Sequence, residues 1–235
     1  MAKYKTRTRG YQVLISTSYK FIFLHIPKTA GSSISIALKK YTDPDPHTLL
    51  SRITRHLPNV EPVEKAHFRV HDTAAKVIRK LGRPAYEQFF SFSVVRDPFD
   101  HTVSHYEYMK QFRTKRVAEM IQKMEFEEFL EYRMSPKRWY DPIFAKFPGQ
   151  AYFVADPDGK ILVDRIVPFE TVNQELAGIA EQLNLPSFEL QHLHKTKSKS
   201  AKRPYQDYYN PTTEDMVRNY FAKDFKLFGY SDKLT

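Results

Sequence analysis

The chain has 235 residues and no cysteine, so it can build one sizeable core or two small ones, and disulfides and thiolate metal sites are excluded. Its net charge of +10 is concentrated in two runs without acids: Lys3, Lys5, Arg7 and Arg9, and then Lys195, Lys197, Lys199, Lys202 and Arg203. The remainder is nearly balanced, which counts against a broad nucleic-acid-binding surface, and no apolar run has the length of a membrane span.

Residues 1–20 read as a basic arm followed by a first strand. The stretch YQVLISTSYK is too broken by polar residues for a signal segment, so a soluble cytoplasmic protein is expected. No Gly/Ser linker and no repeat divides residues 21–235, which read as one domain. Phe21–Leu24 is a short apolar run, the pattern of a strand buried on both faces. Pro27 cannot serve a central ladder, so this strand should end near His25. From Gly31 onward, Ile34, Ala37 and Leu38 recur at helical spacing and predict a helix over 31–40. The turn between, HIPKTAGSS, aims free amides and a helix N-terminus at one point, an arrangement that binds phosphate-like anions. Lys28 adds a full charge, and Thr29, Ser32 and Ser33 add hydroxyls. It is not a Walker A loop: the lysine precedes the glycine, and Gly-Lys-Ser/Thr occurs nowhere.

Next comes AHFRVHDTAAKVIRKLG, with a helix predicted over 72–81 and His71 just before it, in a connecting loop of the kind that carries function. His67 lies four residues earlier. In FSFSVVRDPFDHTVS a strand over 92–95 ends at Arg96. Asp97 then has the chemistry of an N-cap and Pro98 that of a first helical residue, for a helix over 99–111. Ser104 falls two turns along, above Asp97. Taken alone, Arg96 serves equally as a ligand-binding cation or as an ion-pair partner of Asp97 or Asp100. Further strands are predicted at 152–154 and 161–167, and helices at 126–133, 170–183 and 212–221. Glu170 reads as a cap of its own helix or a partner of that helix's N-terminal dipole, and Trp139 with Tyr140 as one wall of a cleft. This alternation argues an α/β fold, a mostly parallel central sheet with helices on both faces.

HIPKTAGSS, followed roughly sixty residues later by VVRDPFDHTVSHY, resembles the family 2 sulfotransferases, the group that includes carbohydrate sulfotransferases. The resemblance runs from about Phe21 to Tyr230 and takes in GQAYFVADPDGKILVDRIVPFE and YFAKDFKLFGY. It implies a single P-loop-like domain using 3′-phosphoadenosine 5′-phosphosulfate as donor, without a metal. Lys28, Thr29, Ala30, Gly31, Ser32 and Ser33 match the loop that holds the 5′-phosphosulfate, although the family usually has Thr where Ser32 or Ser33 stands. Arg96 and Ser104 match the pair that holds the 3′-phosphate. Lys195, Thr196 and Lys197 stand where the family has a loop closing over the nucleotide. His71 matches the catalytic base, with His67 as rival, and Lys28 would also stabilise the leaving phosphate. The implied acceptor is a hydroxyl on a carbohydrate or glycoconjugate. Among the other histidines, His25 is expected to support the loop, and His101 and His105 to be solvated or structural. His192 and His194 lie near the later basic run. Two other readings compete: a P-loop-type kinase or nucleotide hydrolase, and a non-catalytic module binding anionic polymers through the basic runs.

Overall fold

A computed structural model describes residues 13–44, 46, 49–54, 56–57, 59–139, 141, 146, 148–186 and 203–234. Four strands, β1 (Leu14–Ser16), β2 (Phe21–Leu24), β3 (Phe90–Val95) and β4 (Arg165–Pro168), form one sheet in that order. β1 pairs antiparallel with β2, while β2, β3 and β4 run parallel. The first strand is therefore joined by a hairpin to the sheet of the domain that follows it.

The helices are α1 (Gly31–Leu38), α2 (Leu49–Thr54), α3 (Ala74–Leu81), α4 (Arg83–Tyr86), α5 (Pro98–Met109) and α6 (Lys115–Gln122). After them come α7 (Phe126–Met134), α8 (Ala151–Val154), α9 (Val172–Gln182), α10 (Pro211–Tyr220) and α11 (Ala222–Phe228). All four residues of β2 are buried and alternate between two cores. Ile22 and Leu24 pack with Val77 and Ile78 of α3 and Val154 of α8. Phe21 and Phe23 pack with Phe92, with Ile34 and Leu38 of α1, and with Leu176 of α9. Helices thus cover both faces, as the unbroken apolar run requires. A third cluster joins α5, α6, α7, α10 and α11 around Phe99, Phe129 and Phe225. No helix among the described residues is long and apolar enough to cross a membrane.

Two predicted strands need correction. Tyr152–Val154 belongs to the helix α8, because the Asp224 carboxylate accepts from the amides of Gln150 (2.6 Å) and Ala151 (2.9 Å) and caps its start. Over 161–167 only the end is strand, from Arg165 onward. Asp164 makes a corner there, its carboxylate accepting from the Ser91 amide and hydroxyl, each at 2.7 Å. The helix expected from Asp72 begins at Ala74, since Thr73 is its cap and Asp72 instead takes the Arg69 amide and the Lys76 ammonium. The remaining predicted helices are observed with small shifts at their ends, whereas α2, α4, α6 and α11 were not expected.

Candidate active site

Three neighbouring parallel strands end on one side of the sheet, and their following loops make the site. After β2 the chain turns sharply, with Lys28 (φ 68) and Ala30 (φ 62) both in the left-handed region. Each such non-glycine residue costs about 1–2 kcal/mol, so the surrounding structure must impose them. Left-handed residues interleaved in a turn draw successive amides into an anion-binding concavity. The amides of Ser33 and Ile34 turn back to the Ala30 carbonyl, at 2.9 and 3.2 Å. Those of Gly31 and Ser32 open α1, where no preceding helical turn can take them. The Thr29 side chain is buried, and its hydroxyl donates to the Ile26 carbonyl at 3.0 Å. Its amide is therefore what it can offer a ligand. Lys28 holds its ammonium 4.3 Å from the centre of the Tyr108 ring.

Gly31 is required for a reason unrelated to an anion. A Cβ there would lie 1.8 Å from the ring of His25, which packs directly beneath the loop. His25 is buried, and its pKa is pushed down to about 3, by burial first and then by the charges of His71 and Lys28. It is a neutral support for the loop. His71 packs edge-on against it, with ring centres 4.8 Å apart, and its Nδ1 lies 2.8 Å from the His25 carbonyl oxygen. A carbonyl only accepts, so Nδ1 carries the hydrogen and the lone pair is on Nε2. Burial lowers the pKa of His71, opposed by that hydrogen bond and by Asp72. The ring is half-buried, whereas His67 is buried between Ala66 and Phe68, both members of the core.

After β3, Arg96 is half-buried, and its guanidinium is fixed from several sides. Nε and Nη2 contact Asp100 at 2.6 and 2.5 Å, Phe169 lies under it at 4.5 Å, and Nη1 reaches the Lys28 carbonyl at 3.4 Å. The ion pair with Asp100 exists, and the same arginine also meets the first loop. Gln150 fixes its backbone: the side-chain oxygen accepts from the Arg96 amide at 2.9 Å and the nitrogen donates to the Arg96 carbonyl at 2.8 Å. Asp97 caps α5 through the amides of Phe99 and Asp100. His101 is structural, not solvated: it is fully buried, and its Nε2 donates to the Pro27 carbonyl at 2.9 Å. Burial holds its pKa well below the usual histidine value. His105 is buried too, edge-on to Phe129. After β4, Glu170 accepts from the Asp97 amide at 3.0 Å and from the Tyr230 hydroxyl at 2.8 Å. It thus serves the start of α5 rather than its own helix.

Lys28 to Ser33, His71 and Arg96 are accordingly brought to one place. Ser104 is half-buried on α5, one turn beyond Asp100. Lys195, Thr196, Lys197, His192, His194 and Tyr140 lie outside the described residues. Trp139 is 94% exposed, which does not suit a cleft wall. Gln150, Asp224, Phe169 and Tyr108 were not expected at the site. Gln150, Phe169 and Asp224 fall within segments that carried the family resemblance, but nothing in those segments pointed to the site. An amide-lined turn with a lysine, a neutral imidazole with one basic nitrogen and a fixed guanidinium together can hold a ligand with two anionic groups and remove a proton beside one of them.

A model of the sulfotransferase family matches residues 11–231 of the chain. No curated protein and no solved structure matches it.

Proposed function

The chain belongs to the sulfotransferase family, and from that premise we propose that it works in the cytoplasm, moving the sulfuryl group of 3′-phosphoadenosine 5′-phosphosulfate onto a carbohydrate hydroxyl without a metal. The observation that carries this reading is the convergence on one loop: Arg96 reaches the carbonyl of Lys28, and His71 bonds that of His25. The residues suit such a donor. The left-handed turn at Lys28 and Ala30 offers amides to the 5′ end, and Lys28 adds charge. Arg96, with Ser104 beyond it, would hold the 3′-phosphate, and Lys195, Thr196 and Lys197 would add to the nucleotide contacts.

When bound, the donor supplies a sulfuryl group on a phosphate leaving group. Nε2 of His71 takes the proton of the acceptor hydroxyl as the oxygen–sulfur bond forms. Lys28 and the amides of Gly31 and Ser32 hold the negative charge that collects on the departing phosphate oxygen as the old bond breaks. His25 keeps His71 in the tautomer that leaves Nε2 basic. The His71 proton then passes to water, and the products are a sulfate ester and adenosine 3′,5′-bisphosphate.

Adenosine 3′,5′-bisphosphate at about 100 times its dissociation constant should raise stability by about 2.7 kcal/mol with no magnesium present. A thermal melt that does not move over a wide concentration range overturns the donor assignment.

A further inference from the structure

A groove of about 480 Å³ opens beside the site, between the start of α3, α8 and the junction of α10 and α11. Its rim begins at Thr73, two residues after His71, so the two Cα atoms lie within about 8 Å. Its floor reaches Asp224, which orders Gln150 and through it Arg96. The lining is mostly apolar and carries two exposed rings, Tyr152 at 58% and Tyr220 at 43%.

The charges of the lining decide what it can take. Among the described lining residues the charged side chains are Asp156, Lys223 and Asp224, which sum to −1. Each is engaged by the protein itself. The Lys223 ammonium donates to the carbonyls of Asp156 (3.2 Å) and Pro157 (2.9 Å). The Asp156 carboxylate accepts from the Lys160 amide at 2.8 Å. Asp224 takes the amides of Gln150 and Ala151. Among the described lining residues a sulfated or uronate-rich chain would meet two carboxylates and a single ammonium that already donates to two carbonyls, a poor match for a polyanion. Exposed tyrosine faces in an apolar groove suit the CH face of a sugar ring.

Building on the reading of His71 as the base toward an acceptor hydroxyl, we propose that this groove seats an uncharged sugar ring of the acceptor on Tyr152 and Tyr220. The acceptor is then a neutral saccharide at this subsite, not a polyanion. The test uses the whole chain and saturation-transfer NMR with neutral methyl glycosides (glucoside, galactoside and mannoside) and, separately, a heparin tetrasaccharide. At least one neutral glycoside should receive saturation from the wild type. The double variant Tyr152→Ala/Tyr220→Ala should bind it about tenfold more weakly, as loss of two aromatic contacts predicts. Both rings are partly exposed and pack edge-on against Phe153 and Phe221, so the variant should melt cooperatively at a somewhat lower temperature and keep its response to adenosine 3′,5′-bisphosphate, which shows that it is folded. Silence of every neutral glycoside with the wild type overturns the proposal. Undiminished signal in the double variant does so too, as does a heparin signal that the same variant abolishes. The bisphosphate response of the wild type is scored separately: its absence counts against the donor reading and leaves the groove to be judged on the sugar signals.

Discussion

In the proposed reaction the hydrogen bond from His71 to the His25 carbonyl fixes which nitrogen takes the proton, and burial fixes when. Burial disfavours the imidazolium, so the pKa of His71 lies below its ordinary 6.5. A base works only when neutral. Activity should therefore rise with pH along a single acidic limb centred below about 6.5, measured as kcat/KM across pH. His25, pushed down to about 3, stays neutral throughout that range and adds no second limb. His71→Ala should lower turnover by about 10²–10⁴-fold while keeping the thermal response to adenosine 3′,5′-bisphosphate. Full turnover in that variant would move the proton acceptor to another residue. At this scale the sequence was readable for Lys28, Arg96 and His71, because charged or titratable residues at strand ends or beside helix starts stand out from a structural background. The dependence of Gly31 on His25 was not readable. Five residues lie between the two, and only the folded turn brings the ring against the glycine's α-carbon.

Helix α8 exists because residues far along the chain complete it. AYFV is short, apolar and aromatic, a pattern that strands and buried helical turns share. The carboxylate that decides between them, Asp224, lies 73 residues beyond Ala151. Gly149 allows its approach, since a Cβ there would stand 2.7 Å from the carboxylate. The short helix in turn presents Gln150 to both backbone groups of Arg96. Gln150→Leu would fill the same space and remove both hydrogen bonds, leaving the Arg96 amide and carbonyl without these partners in a part-buried setting. We predict a loss of about 2–4 kcal/mol in urea unfolding, with weaker binding of adenosine 3′,5′-bisphosphate. An unchanged midpoint would mean that Arg96 is ordered by Asp100 and Phe169 alone. By contrast, Phe21–Leu24 and the start of α5 were legible because their signals are local: an apolar run bounded by proline, and Asp-Pro at an N-terminus.

Across the whole molecule, neutral buried histidines make stability depend on pH. In the unfolded chain they protonate near 6.5, whereas His25 resists until about 3 and His101 is also held well below its usual value. Their contribution is complete above 6.5 and is lost as pH falls toward the folded-state values, by up to about 1.4 kcal/mol per pH unit for each such histidine. His101→Gln keeps a donor for the Pro27 carbonyl but cannot titrate, so its melting temperature should fall less steeply than that of wild type between pH 6.5 and 4.5; parallel curves would exclude His101 as a contributor. The mostly parallel sheet and its two-sided cover followed from the alternation of strand-like and helical segments, whereas the strand order and the helical cluster around Phe129 stayed illegible because they depend on contacts between distant parts of the chain. The bond between His101 and Pro27 has one more consequence. It braces the turn after β2 against the helix after β3, so the gap between the two ends proposed to hold the anions is set by the protein before anything binds. Such a frame works as a caliper: a nucleotide phosphorylated at the 5′ position alone, or at 2′ in place of 3′, would engage one jaw and miss the other.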